Sequence, residues 1–338
     1  MEYTRLGNSG LWVSRLILGC MSYGSSEWQP WVLDEEESIK HIKQAWDLGI
    51  TTFDTANTYS NGASEEVLGK ALRQLNIPRS RAVILSKLFF PVSTEMSQVV
   101  MGSKLPENGY YNECGLSRKH IFDSVDASLK RLGVEYIDVL QCHRFDYHTP
   151  IEETMIALHD VVKSGKVRYI GMSSCHAYQF QQMQQYAIQH NLTTFISMQD
   201  LFNAAYREEE FEMFPTLKMT GAGCIPWSPL CRGFLTRPHD QAKTTRGGSD
   251  RMIGQFSSEA DLKINEAVQK VAKEHNASMA QIACAYVLSR PEITAPIIGS
   301  TKIDSIKELV ESLKIRLSPE QIKSIEEHYA RRPPVGFA

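Results

Sequence analysis

The sequence predicts an α/β fold in which eight parallel strands, each followed by a helix, close a barrel, and three observations carry that prediction. Short apolar, β-branched runs recur at RLILG, ITTFDT, AVILSK, YIDVLQC, VRYIGM, FISMQ, GCIPW and APIIG. Amphipathic helical patterns fall between them. The two kinds of segment alternate strictly, and alternation over a whole chain requires parallel strands joined by crossover helices.

The elements follow in order. YTRL and LWV flank Gly7-Asn8-Ser9-Gly10, whose residues tolerate positive φ, so residues 1–14 read as a hairpin. DEEESIKHIKQAWDLG has an acidic first turn, apolar residues at Ile39, Ile42 and Trp46, and Gly49 where the helix should stop. Ser64-Glu65-Glu66 starts a helix carrying Val67, Leu68, Ala71 and Leu72. SRKHIFDSVDASLKRLG repeats Ile121, Val125, Leu129 and Leu132 and ends at Gly133. Similar patterns cover 151–164, 176–190, 207–220, 278–289 and 302–314. Three segments exceed ordinary connections. Residues 89–116 follow the third strand; residues 228–260 follow the seventh, contain TTRGGSDR and lack apolar periodicity. Residues 318–331, with a Ser318-Pro319 start, read as an extra C-terminal helix. Without a linker or repeat, 1–338 reads as one domain with two long mouth loops.

Composition narrows the function classes. At 338 residues and 42% hydrophobic content the chain can bury a large core. A net charge of -3 gives no case for nucleic acid or an anionic membrane. The polar N-terminus MEYTRLGNSG is not a signal peptide, and the longest apolar runs are strand-sized, which excludes a spanning helix. Seven cysteines with no C-x-x-C pair argue for reduced thiols in a cytoplasmic protein rather than a disulfide framework or zinc knuckle.

Four residues then stand out: Asp54, Tyr59, Lys87 and His143 lie at or just beyond strand ends, and strand C-termini of a barrel open onto one face. A tyrosine hydroxyl, with an ordinary pKa of about 10, is a poor proton donor near neutrality. A neighbouring ammonium favours the phenolate and eases proton donation to a developing alkoxide. Lys87 would supply that charge, Asp54 would hold the lysine, and His143 would hydrogen-bond the substrate oxygen or relay the proton. Taken singly, Asp54 reads equally as a turn cap and Tyr59 as a packed loop aromatic. Lys87 is harder to dismiss, because lysine is almost never buried unpaired.

At this point the residues resemble a known family. The segment from Phe53 to Glu65, FDTANTYSNGASE, is similar to the aldo-keto reductase signature, with Asp54 and Tyr59 at the family spacing. The resemblance continues through Ser86-Lys87, IDVLQCH ending at His143, GKVRYIGMS ending at Ser173, Trp227-Ser228-Pro229-Leu230 and Ile298-Gly299-Ser300. It spans essentially the whole chain, within the aryl-alcohol dehydrogenase-like and potassium-channel β-subunit-like branch. The resemblance implies an NADP-dependent reductase on a TIM barrel whose bottom the N-terminal hairpin plugs. It assigns Tyr59 as general acid, Lys87 as the group that lowers the tyrosine pKa, Asp54 as the lysine's anchor and His143 as the carbonyl contact. It maps the nicotinamide carboxamide onto Ser173 and Gln199, with Ser174 where many members have asparagine and Trp227 where a tyrosine usually stacks. The pyrophosphate maps onto Ser228, Leu230, Arg232 and Gly233, and the adenosine end onto Gly299, Ser300, Thr301, Lys302, Ser305 and Glu308. Lys302 is the implied 2′-phosphate contact, while Ser305 and Leu309 depart from the family pattern. Gly19 and Met21 resemble positions touching the cofactor ribose and nicotinamide. The chain has neither G-x-G-x-x-G nor a Tyr-x-x-x-Lys pair, which argues against Rossmann and short-chain dehydrogenases.

Other clusters weigh less. His143-Arg144-Phe145-Asp146-Tyr147-His148 invites a metal reading, but the first strand offers no His-x-His and Arg144 would repel a cation. Glu208-Glu209-Glu210 reads as a helix N-terminal turn. Aromatics of the mouth loops, Trp28, Trp31, Phe89, Phe90, Tyr110, Tyr111 and Phe145, either line an apolar substrate pocket or glue the loops to the barrel. The expectation is a cytoplasmic, NADP(H)-dependent reductase of small aldehydes or ketones with no nucleic-acid or membrane partner. The alternatives are a cofactor-binding regulatory subunit with little turnover, disfavoured by a chain that starts at the hairpin, and a metal-dependent barrel hydrolase.

Overall fold

The computed structural model describes residues 1–101, 109–241, 254 and 256–337. Each of the eight apolar runs contains a strand, and together they form one curled parallel sheet. Its order is Gly223–Cys224, Phe195–Gln199, Val167–Ser173, Ile137–Cys142, Val83–Leu88, Thr52–Asp54, Ile17–Gly19 and Ile297–Ile298. The two edges also meet. Parallel bridges pair Cys224 with Ile293 and Trp227 with Ile297, and the Thr294 and Ile297 amides donate to the Cys224 and Pro226 carbonyls.

Strand periodicity explains where the chemistry can sit. Side chains alternate between the two faces of a strand, so i, i+2 and i+4 share a face. Val83 and Leu85 point into an inner cluster with Ile17, Val139, Ile225, Ala295 and Ile297. Two residues beyond Leu85 on that face comes Lys87, and beyond Val139 come Gln141 and then His143. The opposite face, with Ile84, Leu88, Leu140 and Cys142, belongs to the larger core beneath the helices. Each inner row is therefore apolar at its start and polar at its C-terminal end. The hairpin of Tyr3–Arg5 and Trp12–Ser14 adds Leu6 and Val13 to the inner cluster at the apolar end. Gly7 makes this docking possible: its φ is 58°, and a Cβ there would stand 2.5 Å from the Gly221 carbonyl oxygen.

Three elements differ from the sequence reading. The helix expected over 207–220 is Met213–Thr220, preceded by a separate 3-10 turn, Glu208–Glu210. Glu209 is buried there and Glu208 is held by Tyr329 and Arg332, so their side chains do not serve a helix start. Residues Glu259–Glu274 form a helix with no counterpart in that reading. Its signals are a capping box between Ser258 and Asp261 and a buried row of Ile264, Val268 and Val271. The C-terminal helix is Pro319–Glu326, shorter than 318–331. Beyond it Arg331 and Arg332 turn aside to pair with Glu208 and Asp261. TTRGGSDR and residues 102–108 lie outside the described residues. All seven cysteines are free thiols, and among the described residues no helix is long and apolar enough to cross a membrane.

Candidate active site

At the polar end of the barrel, Asp54 and Lys87 stand on adjacent strands whose register pairs Asp54 with Leu85. That offset sets Lys87 one inward position further along. Its ammonium donates to Asp54 Oδ2 at 2.5 Å, the Thr55 carbonyl at 2.9 Å and Tyr59 Oη at 3.2 Å. All three ammonium hydrogens are thus used, as burial demands. Tyr59 arrives because the loop continues the strand pairing. The Thr55 amide donates to the Leu85 carbonyl and the Asn57 amide to the Lys87 carbonyl. The Asn57 side chain then ties the loop to the Phe90 carbonyl at 2.9 Å. The buried imidazole of His143 stands edge-on to Tyr59, ring centroids 5.7 Å apart. All four residues picked out by the sequence meet here.

Electrostatics refine their expected behaviour. Burial pushes the Tyr59 phenol up; the charge of Lys87 opposes that rise without cancelling it, so the net direction is upward. Tyr59 therefore remains protonated through neutral pH. Burial pulls the Lys87 ammonium down, but Asp54 and Tyr59 more than compensate, and it stays charged. His143 is held well below the usual histidine range by burial, then by Arg144 and Lys87, so the ring is neutral. Its Nδ1 is buried with no hydrogen-bond partner. A buried lone pair without a donor costs less than a buried N–H without an acceptor. The proton therefore belongs on Nε2.

A further layer escaped the sequence reading. Asp54 Oδ1 accepts from Gln141 Nε2 at 3.0 Å and Gln199 Nε2 at 2.8 Å, and Gln199 Nε2 also donates to Gln141 Oε1 at 2.8 Å. Gln141 is fully buried. Its signal was present: a polar residue in an apolar strand, two positions before His143 and so on the same inner face. Glu209 is a second omission. Both it and Asp200 are buried, and burial pushes both carboxyls up, Asp200 to about 7. Asp200 Oδ1 in turn accepts from the Ser174 amide at 2.9 Å.

The four residues border one end of a cavity of about 770 Å³. Asp54, Tyr59 and His143 line it, with Lys87 buried behind. Gly19, Met21, Ser173, Gln199, Trp227, Ser228, Leu230, Arg232, Gly233, Gly299, Ser300, Thr301, Lys302, Ser305 and Glu308 all line the same space. Ser174 does not; its Oγ accepts from Trp227 Nε1 at 3.3 Å and so sets the indole's orientation. Ser173 Oγ donates to the Gln199 carbonyl at 2.7 Å, leaving its lone pairs as acceptors. Ser228, Cys231, Arg232 and Gly233 all have positive φ, with values of 54°, 50°, 55° and 101°. Such backbone turns amides toward one side, where an anion can be received.

Most of the mouth-loop aromatics do not line the cavity. Trp31 does. Trp28 is buried behind it with Val32 and Ala56. Phe90 packs edge-on to His143, centroids 5.1 Å apart, and Phe89 packs edge-on to Phe90. Phe145 lies against Tyr147, Tyr110 is half-buried away from the cavity, and Tyr111 is 71% exposed. Their side chains brace loops, since loop backbone has no period that would aim them inward. Asp146 is likewise structural: it accepts from the Leu116 and His148 amides and from Thr149 Oγ1.

Compared with known families, residues 15–330 match the one described as "Aldo/keto reductase family". The chain belongs to this family. It is 50% identical over 335 residues to versiconal hemiacetal acetate reductase of Aspergillus parasiticus, covering 97% of each chain. It is 50% identical to a Schizosaccharomyces pombe protein provisionally named an aryl-alcohol dehydrogenase, covering 99% of this chain and 97% of that one. The aldo-keto reductase AMT2 of Alternaria alternata is 44% identical, over 99% of this chain and 94% of its own. The protein is thus an oxidoreductase of a family that acts on small carbonyl substrates and generally uses NAD(P)H.

Proposed function

We propose that the protein is an NADPH-dependent reductase of aldehydes or ketones, reversible with NADP, in which Asp54, Tyr59, Lys87 and His143 form the catalytic group. One observation carries the reading: the Lys87 ammonium bridges the Asp54 carboxylate and the Tyr59 phenol at the end of a long cavity. The residues fit a dinucleotide. Ser173 and Gln199 offer acceptors for a carboxamide, Trp227 a flat face, the Ser228–Gly233 backbone an anion seat, and Lys302 a cation at the far end. When bound, the nicotinamide supplies the hydride.

The chain's own residues then handle the carbonyl oxygen. His143 Nε2–H and Tyr59 Oη–H converge on that oxygen and polarise it. As negative charge develops there, Tyr59 gives up its proton, because the phenolate left behind is stabilised by the Lys87 ammonium beside it. Asp54 keeps that ammonium charged and aimed, and Gln141 and Gln199 fix the carboxylate. The same contacts serve the reverse reaction, with Tyr59 as base. Lys302 supports NADPH over NADH through the 2′-phosphate. Relatives named for aryl alcohols support aromatic substrates. We further read residues 1–338 as one domain with the hairpin stoppering the barrel bottom, and the unpaired thiols support a cytoplasmic site of action.

The test is a panel of neutral aromatic and aliphatic aldehydes with NADPH, following cofactor absorbance and alcohol formation together. One alcohol formed per NADPH consumed is the expected result. Tight cofactor binding with no alcohol from any aldehyde would overturn the reading.

A further inference from the structure

Arg144, the residue after His143, lacks the carboxylate that most half-buried arginines face; Arg237, also on the cavity, bonds its neighbour Thr236 instead. Arg79, Arg131, Arg207, Arg290 and Arg332 each face a carboxylate. Arg15 is tied down by the carbonyls of Leu288, Ile293 and Thr294. Arg144 donates one hydrogen bond, to its neighbour's carbonyl, the His143 oxygen at 2.5 Å. Its guanidinium lies over the Phe90 ring at 5.7 Å, and no carboxylate among the described residues is within ion-pair distance. The side chain is half-buried and lines the cavity beside Tyr59 and His143. A guanidinium carries five N–H donors in a fixed fork that matches a carboxylate. One arm of this fork is used by the His143 carbonyl, and among the described residues the rest has no hydrogen-bond partner.

The surroundings sharpen the case. Gly336 lies against Arg144 and Trp227, where a Cβ would lie 3.3 Å from Trp227 and 3.7 Å from Arg144 Nη2. Apolar wall comes from Met21, Trp31, Val32 and Met101. Of the carboxylates lining the cavity, Asp54 is bound to Lys87, and Glu308 sits on the helix Ile303–Glu311 beyond Lys302, outside ion-pair distance of Arg144. Burial pulls Arg144 down to about 10 against the raising charges of Tyr59 and Asp200, and it stays protonated at neutral pH. A cation kept in a partly dry pocket without a partner is costly unless a ligand supplies one.

We propose that Arg144 is a substrate-specificity residue, an anion subsite that selects aromatic carbonyl compounds bearing a carboxylate at a distance from the reacting carbonyl. The inference rests on the reductase reading above: the aldehyde meets Tyr59 and His143, and the carboxylate meets the Arg144 fork.

The test compares carboxybenzaldehydes with their methyl esters in the wild-type protein, R144Q and R144K. Wild type should favour the carboxylate. In R144Q the ratio of kcat/KM for acid over ester should fall about 10- to 100-fold, the worth of a charge-assisted pair, mostly through KM for the acid. R144K should keep part of the ratio, since it retains charge and loses the fork. The ester measured on the same variant controls for folding. Equal losses on acid and ester, a matching rise in NADPH Kd, or a wild-type preference for the ester would overturn the proposal. If no aldehyde is turned over, the reductase reading has failed but the subsite is still measurable. Tryptophan fluorescence of the NADPH-loaded protein then compares benzoate with benzamide. Tighter benzoate binding that R144Q abolishes supports the subsite, and benzoate binding that R144Q leaves intact refutes it.

Discussion

Gln141→Leu is the sharpest probe of how the buried network holds the site. Leucine matches glutamine in size and suits the apolar strand Ile137–Cys142, so any effect comes from the amide. Two hydrogen bonds disappear. Asp54 Oδ1 loses the donor at 3.0 Å, and a bond to a charged acceptor is worth about 1.5–3 kcal/mol. Gln199 loses the acceptor at 2.8 Å, leaving a buried N–H that costs about 1–3 kcal/mol. Greater apolar burial by leucine returns about 1–2 kcal/mol. The net loss is on the order of 2–4 kcal/mol, read as a lower urea midpoint at constant m. The double variant with Gln199→Leu removes the orphaned N–H as well. It should therefore be more stable than the sum of the single losses predicts, by about 1–2 kcal/mol. Strict additivity, or a single variant as stable as wild type, would refute the network as described.

Three further outcomes follow. Lys302→Met should raise the Kd for NADPH about 10- to 100-fold and that for NADH far less, measured by fluorescence titration; equal rises would remove Lys302 from the 2′-phosphate. Glu209→Gln addresses the buried acid pair. Because the folded-state pKa of Asp200 is raised from 3.8 to about 7, the pair's contribution is present at acid pH and lost as pH climbs through the raised value. The wild-type urea midpoint should fall between about pH 4 and pH 7, and the variant's should fall less; parallel slopes would refute the pairing. His143 works in the opposite sense. With its folded-state pKa lowered, stability should drop as pH falls below about 6.5, and His143→Gln should flatten that acid limb in the same titration.

What could be read from the chain follows from physics local to a few residues. Strands buried on both faces are continuous apolar runs, so AVILSK and YIDVLQC were legible, and so was a lysine ending one of them. Strand alternation brings Asp54, Lys87 and His143 to one face, and the bonded loop after Asp54 delivers Tyr59 to it. Gln141 was legible only as a polar residue on the inner face; the role of an uncharged amide comes from Asp54 and Gln199, which are distant in sequence. The helix Glu259–Glu274 was missed beside a long connection, although Ser258 and Asp261 mark its start. The mouth aromatics stayed open between pocket and brace because nothing periodic aims a loop side chain; Phe89 and Phe90 pack on each other, Phe90 on His143 and Phe145 on Tyr147. Glu209 looked like an ordinary helix start until the fold buried it against Asp200.

The most direct test of the central claim is the single-turnover rate of aldehyde reduction by the NADPH-loaded protein, wild type against Tyr59→Phe. The phenylalanine ring keeps the packing against His143 and removes only the hydroxyl that Lys87 touches. The rate should fall about 100- to 10,000-fold while NADPH binding is retained. A variant that still reduces aldehyde at close to the wild-type rate would show that the proton comes from elsewhere and that the account of this site is wrong.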